Sequence, residues 1–280
     1  IQLKIDCHNH SVFSFDGSCS VEEMAAAAAK KRIGVFAVTD HCDVNEYAEQ
    51  RLGERIPASL KAIHTAREHA PLRLLAGVEL GQPLQDIART EEILALPGLD
   101  FVIGSLHNLA GEQDFYWMDY VALSDDELFF LFRRYYTELL ELAEWNRFDT
   151  LAHITYPYRY LYAQKGKREF LLRPESFDPL AEQIFLTLIR NQKALELNTA
   201  SFRTMEEVAL NRRYLEMYRG LGGELLTFGS DAHTPDRIGA GAGMGLEMAR
   251  EAGFTHFVYY EKRNPVQVPL DQWEDRETIE

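Results

Sequence analysis

Short apolar segments that run into a histidine, a carboxylate or an asparagine recur down the chain, and this recurrence most restricts the fold. Val35-Phe36-Ala37-Val38 leads into Thr39-Asp40-His41, Arg73-Leu74-Leu75-Ala76-Gly77-Val78 into Glu79, and Phe101-Val102-Ile103-Gly104-Ser105 to His107. Thr150-Leu151-Ala152 precedes His153, and Ala194-Leu195-Glu196-Leu197 ends at Asn198. Leu225-Leu226-Thr227-Phe228-Gly229 is followed by Ser230-Asp231-Ala232-His233. At the start, Leu3, Ile5 and Cys7 alternate with Lys4 and Asp6 as a strand does, and His8-Asn9-His10 follows. Helical patterns fill the intervals. Ser20 is an N-cap with Glu23 at the capping-box position, and an alanine run continues from Ala25 to Ala29. Further helices are expected over about Ser59–His69, Asp125–Asn146, Pro179–Asn191 and Met205–Leu221, with a final one before Phe257-Val258-Tyr259-Tyr260.

The strand ends lie between 28 residues apart (Glu79 to His107) and 46 apart (His107 to His153), the size of a βα unit. Continuous apolar strands separated by helices imply a parallel sheet covered on its outside. Seven such units in 280 residues predict a closed, distorted (β/α)7 barrel of TIM-like type, one domain over residues 1–280. Its site is expected at the C-terminal ends of the strands. An open doubly wound sheet is the alternative, but its ligands gather at one switch point.

Composition narrows the setting. Apolar residues make up 46% of the chain, enough for a buried core. There is no apolar run of membrane-spanning length and no secretory hydrophobic region at the start, so a soluble, cytoplasmic protein is expected. Cys7, Cys19 and Cys42 form no C-x-x-C pair, which fits a reducing compartment. A net charge of −15 repels phosphate backbones, so neither nucleic acid nor membrane is an expected partner.

His8, His10, His41, His107, His153 and His233 all fall at strand ends, together with Asp16, Glu79 and Asp231. In a parallel barrel those ends share one face. His8 and His10, two apart on extended chain, point to the same side and can converge on one metal ion. His64 and His69 fall in a helical stretch, and His256 begins the last strand at the opposite end. Nine ligands exceed what one zinc takes and suffice for two or three ions if a carboxylate bridges. Nitrogen and oxygen donors suit Zn, Mn or Fe, and Cys7 is expected to point away by strand alternation.

Taken together, Asp6-Cys7-His8-Asn9-His10-Ser11, Thr39-Asp40-His41, Gly77-Val78-Glu79, Gly104-Ser105-Leu106-His107, His153 and Ser230-Asp231-Ala232-His233 resemble the polymerase-and-histidinol-phosphatase (PHP) family over nearly the whole chain. The resemblance implies a distorted seven-stranded βα barrel with a trinuclear metal site. It implies that His8, His10, Glu79 and Asp231 hold one ion. Glu79 bridges to a second with His107 and His153, and Asp16, His41 and His233 hold the third. Thr-Asp-His41-Cys42-Asp43 and the run from His107 to Asp114-Phe115-Tyr116-Trp117 are similar to stand-alone histidinol-phosphate phosphatases.

Phosphate chemistry follows from charge. Three divalent ions bring about +6, three carboxylates and a bridging hydroxide about −4, leaving roughly +2 to meet a phosphate dianion. A metal-bound hydroxide is the expected nucleophile, with His41, Glu79 and Asp231 as supporting ligands, and a small-molecule phosphate ester is the expected partner. Arg159 and Arg203, in the loops after strands five and six, are candidate phosphate contacts because the guanidinium fork matches oxyanion geometry. Tyr116 and Trp117 can stack on a flat imidazole. Asp6 and Asp40 are candidates to orient ligand histidines. Gly239 to Gly245 is expected to be the turn into the last helix rather than a dinucleotide loop. The reading is hydrolysis of L-histidinol phosphate. Alternatives are another small phosphorylated metabolite or nucleotide, a non-catalytic metal-binding domain, a nuclease-like phosphodiesterase, or a C–N hydrolase of amidohydrolase type. The last often bridges its metals with a modified lysine after strand four, where this chain has Gly104-Ser105-Leu106-His107.

Overall fold

The computed structural model describes residues 3–164 and 174–273. Ten strands alternate with eight α-helices among these residues. The strands are β1 (Lys4–Asp6), β2 (Ile33–Val38), β3 (His41–Asp43), β4 (Arg73–Gly81), β5 (Phe101–Ser105), β6 (Thr150–Leu151), β7 (Ala194–Asn198), β8 (Leu226–Gly229), β9 (His256–Glu261) and β10 (Asn264–Pro269). The helices are α1 (Val21–Lys30), α2 (Leu52–Arg67), α3 (Ile87–Leu94), α4 (Asp125–Trp145), α5 (Tyr156–Ala163), α6 (Asp178–Arg190), α7 (Met205–Gly220) and α8 (Ala242–Glu251). None is long and apolar enough to cross a membrane.

The main sheet is parallel, in the order β1-β2-β4-β5-β6-β7-β8. It closes where the chain after β1 meets the end of β8. Cys7 donates its N–H to Phe228 O at 2.9 Å, His10 donates to Ala232 O at 2.9 Å, and Asn9 forms a parallel bridge with Ala232. Ile5, Val35, Phe36, Leu75, Val102 and Ile103 are all buried, and consecutive pairs such as Val35–Phe36 and Val102–Ile103 cover both the inner and the outer face of the sheet. Burial on both faces explains why these strands read as continuous apolar runs.

One irregularity shapes the site. Thr39 and Asp40 break the second strand, and the chain resumes as β3, which pairs His41 with Glu79 and Asp43 with Gly81. The turn is held by Thr39 N–H on Asn9 O at 2.7 Å and Glu79 N–H on Asp40 O at 3.1 Å. A sequence pattern ending the strand at Val38 therefore misses that His41 sits in a strand of its own.

Both strong cap signals form. Ser20 and Glu23 make a capping box on α1, and Ser124 and Glu127 make one on α4. Helix α2 begins at Leu52, ahead of the Ser59 expected, with Pro57 inside it. Gly241, at φ +75, precedes α8, as the glycine-rich turn predicts. The hairpin β9–β10 turns at Lys262 and Arg263, both with positive φ. Its tip seals the barrel end opposite the site. Arg263 N–H reaches Asp100 O at 2.8 Å, and the Arg263 guanidinium pairs with Asp149, just before β6. The buried Asp149 carboxylate also accepts from Val102 N–H at 2.8 Å.

Arg263→Ala therefore leaves a buried carboxylate without its cation. We expect a loss of about 2 kcal/mol, the scale of a charged hydrogen bond, read as a lower urea midpoint with metal content unchanged.

Candidate metal centre

The site is built from the barrel closure upward. Asn9 Nδ2 donates to Asp6 O and Ala37 O, both at 3.2 Å, pinning the chain between β1 and β2. His8 and His10, on either side of it, turn their rings toward each other with centroids 5.1 Å apart. At the centre lies Glu79, fully buried near the end of β4. Its Oε2 is 2.9 Å from His41 Nδ1, 3.3 Å from His8 Nε2 and 3.6 Å from His10 Nε2. Its Oε1 is 2.9 Å from His153 Nε2 and 3.1 Å from His107 Nε2.

Asp231, after β8, places Oδ1 3.2 Å from His10 Nε2 and 3.7 Å from His8 Nε2. Its backbone is left-handed, φ 56, a conformation aspartate tolerates better than most residues. On the outer side, Asp16 Oδ2 is 3.0 Å from His233 Nε2 and Asp16 Oδ1 is 3.7 Å from His41 Nε2, with those two nitrogens 3.4 Å apart. The structure thus brings all nine candidate ligands together, with Glu79 beside His8, His10, His41, His107 and His153, Asp231 beside His8 and His10, and Asp16 beside His41 and His233.

The atoms facing inward fit cations. His8 Nε2, His10 Nε2 and Glu79 Oε2 are buried with no hydrogen-bond partner among the described residues. Buried polar atoms are rarely left so, and an ion is what would satisfy them. The opposite ring nitrogens are already engaged: His8 Nδ1 with Glu196 Oε1 at 2.6 Å, His10 Nδ1 with Ser14 Oγ at 3.1 Å, and His107 Nδ1 with Asp43 Oδ1 at 2.7 Å. That arrangement aims Nε2 at a metal. The groups of mutually close donors contain only nitrogen and oxygen, which suits divalent ions of the Zn, Mn or Fe kind.

Charge follows the same geometry. Burial pushes His8 and His107 down, but the surrounding carboxylates outweigh it and hold both well above the usual histidine range. His41 behaves likewise and is raised to about 9, chiefly by Glu79 against its burial. His10 stays low, through burial and the nearby His233 and His41. Glu79 and Asp231 are held well below the carboxylate range despite burial, by the histidine charges and, for Asp231, Arg159 as well. Asp16 lies at about 2, its burial outweighed by His233 and His41.

A cavity of about 420 Å³ opens over the clusters. Arg159 and Arg203 both line it. Arg159 is on helix α5, not in a loop: Pro157 sits in the first turn, where a missing N–H costs nothing. It is buried and donates to Asn198 Oδ1 at 2.8 Å and Asp231 Oδ2 at 3.2 Å. Arg203 makes local bonds, its Nε to Ala200 O at 3.2 Å and its backbone N–H to Glu207 Oε2 at 3.0 Å. Tyr116 and Trp117 stand exposed at the mouth on a short turn, with Tyr116 edge-on to Tyr160. A larger cavity of about 490 Å³, between α4 and the turn at Pro83–Gln85, touches none of the nine ligand candidates.

Asp6 and Asp40 do not orient ligand histidines directly. Asp6 accepts from Ser230 N, Ser230 Oγ and Gly239 N, tying the first strand to the last loops. Asp40 accepts from Ser11, Ser14 and Ser59, and reaches His10 only through Ser14. The carboxylates that grip histidines are Asp43 and Glu196, which sequence reasoning passed over. Asp43 also lies within ligand distance of His41 and His107. A glutamate inside the apolar run Ala194–Leu197 was the available signal for Glu196. Asp114 is a further addition: it lines the cavity and accepts from Tyr116 N–H at 2.7 Å and Tyr156 O–H at 3.1 Å.

The family model for the PHP domain matches residues 6–200. A probable histidinol-phosphatase of Thermotoga maritima is 30% identical over 256 residues, 91% of this chain and 94% of the relative. One from Clostridium acetobutylicum is 27% identical over 261 residues, 93% of this chain and 98% of the relative. The fold is similar to a crystal structure of histidinol phosphate phosphatase from Lactococcus lactis complexed with zinc, L-histidinol and phosphate. That pair has a TM-score of 0.75 at 21% identity, over 94% of this chain and 98% of the other.

Metal binding should release protons. With His41 at about 9 and a neutral imidazole required for coordination, a proton must leave whenever an ion binds below that pH. Affinity for added zinc or manganese should rise steadily from pH 6 to about 9. Calorimetry in buffers of different ionisation heat checks this; binding at pH 7 without proton release would contradict it.

Proposed function

The chain belongs to the PHP-domain family, and on that premise we propose that it is a metal-dependent phosphatase hydrolysing L-histidinol phosphate to L-histidinol and inorganic phosphate. The observation that carries the reading is a buried carboxylate, Glu79, ringed by the imidazoles of His8, His41, His107 and His153 beside one open cavity. We assign His8, His10, Asp16, His41, Glu79, His107, His153, Asp231 and His233 to two or three divalent ions. Bound there, such ions supply Lewis acidity toward phosphoryl oxygens and make water a competent nucleophile at neutral pH.

The chain's own groups offer the substrate two kinds of contact. Arg159 orients Asp231 and brings a positive charge to the cavity lining. Arg203 adds a second guanidinium to that lining. Tyr116, Trp117 and Asp114 line the same cavity. A flat imidazole can lie against the aromatic rings, and the Asp114 carboxylate can meet a positively charged amine. A bare phosphate site needs neither. The names borne by relatives aligned over nine-tenths of the chain support the same substrate.

The test is kcat/KM for histidinol phosphate beside p-nitrophenyl phosphate, phosphotyrosine and nucleotide monophosphates. A preference of more than about tenfold, or 1.4 kcal/mol, for any of the others would remove the substrate assignment and leave the metals standing.

Roles within the site are separable. His8→Ala and Glu79→Gln should lower bound metal and abolish activity, whereas His64→Ala, on α2, should do neither. Arg203→Met should lower kcat/KM roughly tenfold, the scale of one charged hydrogen bond. Asp114→Asn should reduce kcat/KM for histidinol phosphate about tenfold more than for p-nitrophenyl phosphate; an equal effect on both would deny it a part in recognising the leaving group.

A further inference from the structure

Three hydrogen-bond donors converge on the Glu196 carboxylate, deep in the barrel on β7. His8 Nδ1 lies 2.6 Å from Oε1, while the backbone N–H of His153 reaches Oε2 at 2.9 Å and Asn198 Nδ2 reaches the same oxygen at 3.1 Å. The carboxylate is all but inaccessible, its side chain 1% exposed. Burying a charge so far from water is costly, so packing alone would favour a neutral residue. Glutamine fills nearly the same space but cannot do the same work. Turned one way, its NH2 group meets the His153 and Asn198 donors; turned the other way, it donates to His8 Nδ1 and forces the imidazole proton onto Nε2. Only a carboxylate accepts from both sides and leaves Nε2 unprotonated.

The neighbouring strand leaves room for this pair. A Cβ built on Gly229, at the end of β8, would lie 2.5 Å from His8 Cβ and 2.6 Å from Glu196 Oε1. Any side chain there pushes the imidazole and the carboxylate apart. Once His8 is neutral, as coordination requires, this hydrogen bond keeps its one proton on Nδ1. The lone pair is then on Nε2, the atom 3.3 Å from Glu79 Oε2 and 3.7 Å from Asp231 Oδ1. The other oxygen holds the main chain of His153, whose Nε2 faces the second oxygen of Glu79.

We propose that Glu196 is a positioning residue that fixes His8 with its proton on Nδ1 and, through the His153 amide, sets the spacing of two histidines serving neighbouring ions, with Gly229 as the clearance that permits it. The inference rests on the metal reading of the site.

The test uses full-length protein and three measurements: zinc and manganese affinity by chelator competition, imidazole 15N shifts of the loaded protein, and the melting temperature of the metal-free protein. Wild type should show His8 protonated on Nδ1 and coordinating through Nε2. Glu196→Gln should weaken one class of ion roughly 10–100-fold, the effect of losing such a partner, with occupancy recovered at excess metal. Gly229→Ala, which keeps the carboxylate but crowds it against His8, should weaken the same class. Glu196→Asp, which keeps the charge but is shorter, should fall between wild type and Glu196→Gln. A lower melting temperature with unchanged affinity would make Glu196 merely structural and overturn the proposal. Should Glu196→Gln not fold, Gly229→Ala and the wild-type spectrum decide; a His8 carrying its proton on Nε2 would end it. If wild type takes up no metal, the metal reading fails first, and that outcome is distinct.

Discussion

A carboxylate with no access to water sits among five imidazoles, and the top of the barrel is arranged around it. Glu79 lies within 3.6 Å of nitrogens from His8, His10, His41, His107 and His153. An isolated buried charge costs several kcal/mol even after relaxation, so such a group persists only with cations or donors around it. Those partners come from the ends of β1, β5 and β6 and from β3, segments far apart in the chain. The site therefore exists only when the sheet has closed in one register, and closure is enforced by ordinary backbone bonds between the His8–His10 segment and the end of β8.

The distortion of the barrel serves this geometry. A straight second strand would carry His41 past Glu79. The break at Thr39–Asp40 lets the chain restart beside β4 and pair His41 with Glu79 directly. The buried Asp40 stabilises the break by collecting four hydrogen bonds from Ser11, Ser14 and Ser59. Ser14 in turn accepts from His41 N–H at 3.0 Å and touches His10. A carboxylate, three serines and a kink thus set two ligand candidates at once. The left-handed Asp231 does comparable work on the other side, directing a carboxylate back over His8 and His10.

What was legible in the sequence was whatever depends on position along one strand. A residue following an apolar run is at a strand end whatever its neighbours are, so all nine ligand candidates could be named and the structure does gather them. Asp43 and Glu196 could not be assigned that way, because their roles depend on which strands lie side by side and on register. Asp43 finds His107 across β4, and Glu196 finds His8 across β8. Asp40 acts on His10 and His41 only through Ser14, and Asp6 faces Ser230 and Gly239 instead, because adjacency to a histidine in sequence does not make a side chain face it. The Tyr156–Ala163 helix was hidden by Pro157, which reads as a loop signal although it suits a first turn.

The electrostatics also order the events at this site. In the metal-free protein, the raised His8, His41 and His107 are outnumbered by the carboxylates Glu79, Asp231, Asp16 and Asp43 that hold them, so the cluster carries no surplus of positive charge. Arg159 is already committed to Asp231. A phosphate dianion approaching a protein of net charge −15 would meet no surplus of positive charge there. Each divalent ion that replaces a proton adds about one unit of positive charge. The cavity over the histidines would then attract an anion. Binding of metal is therefore the step that would turn this cavity from neutral or negative to positive.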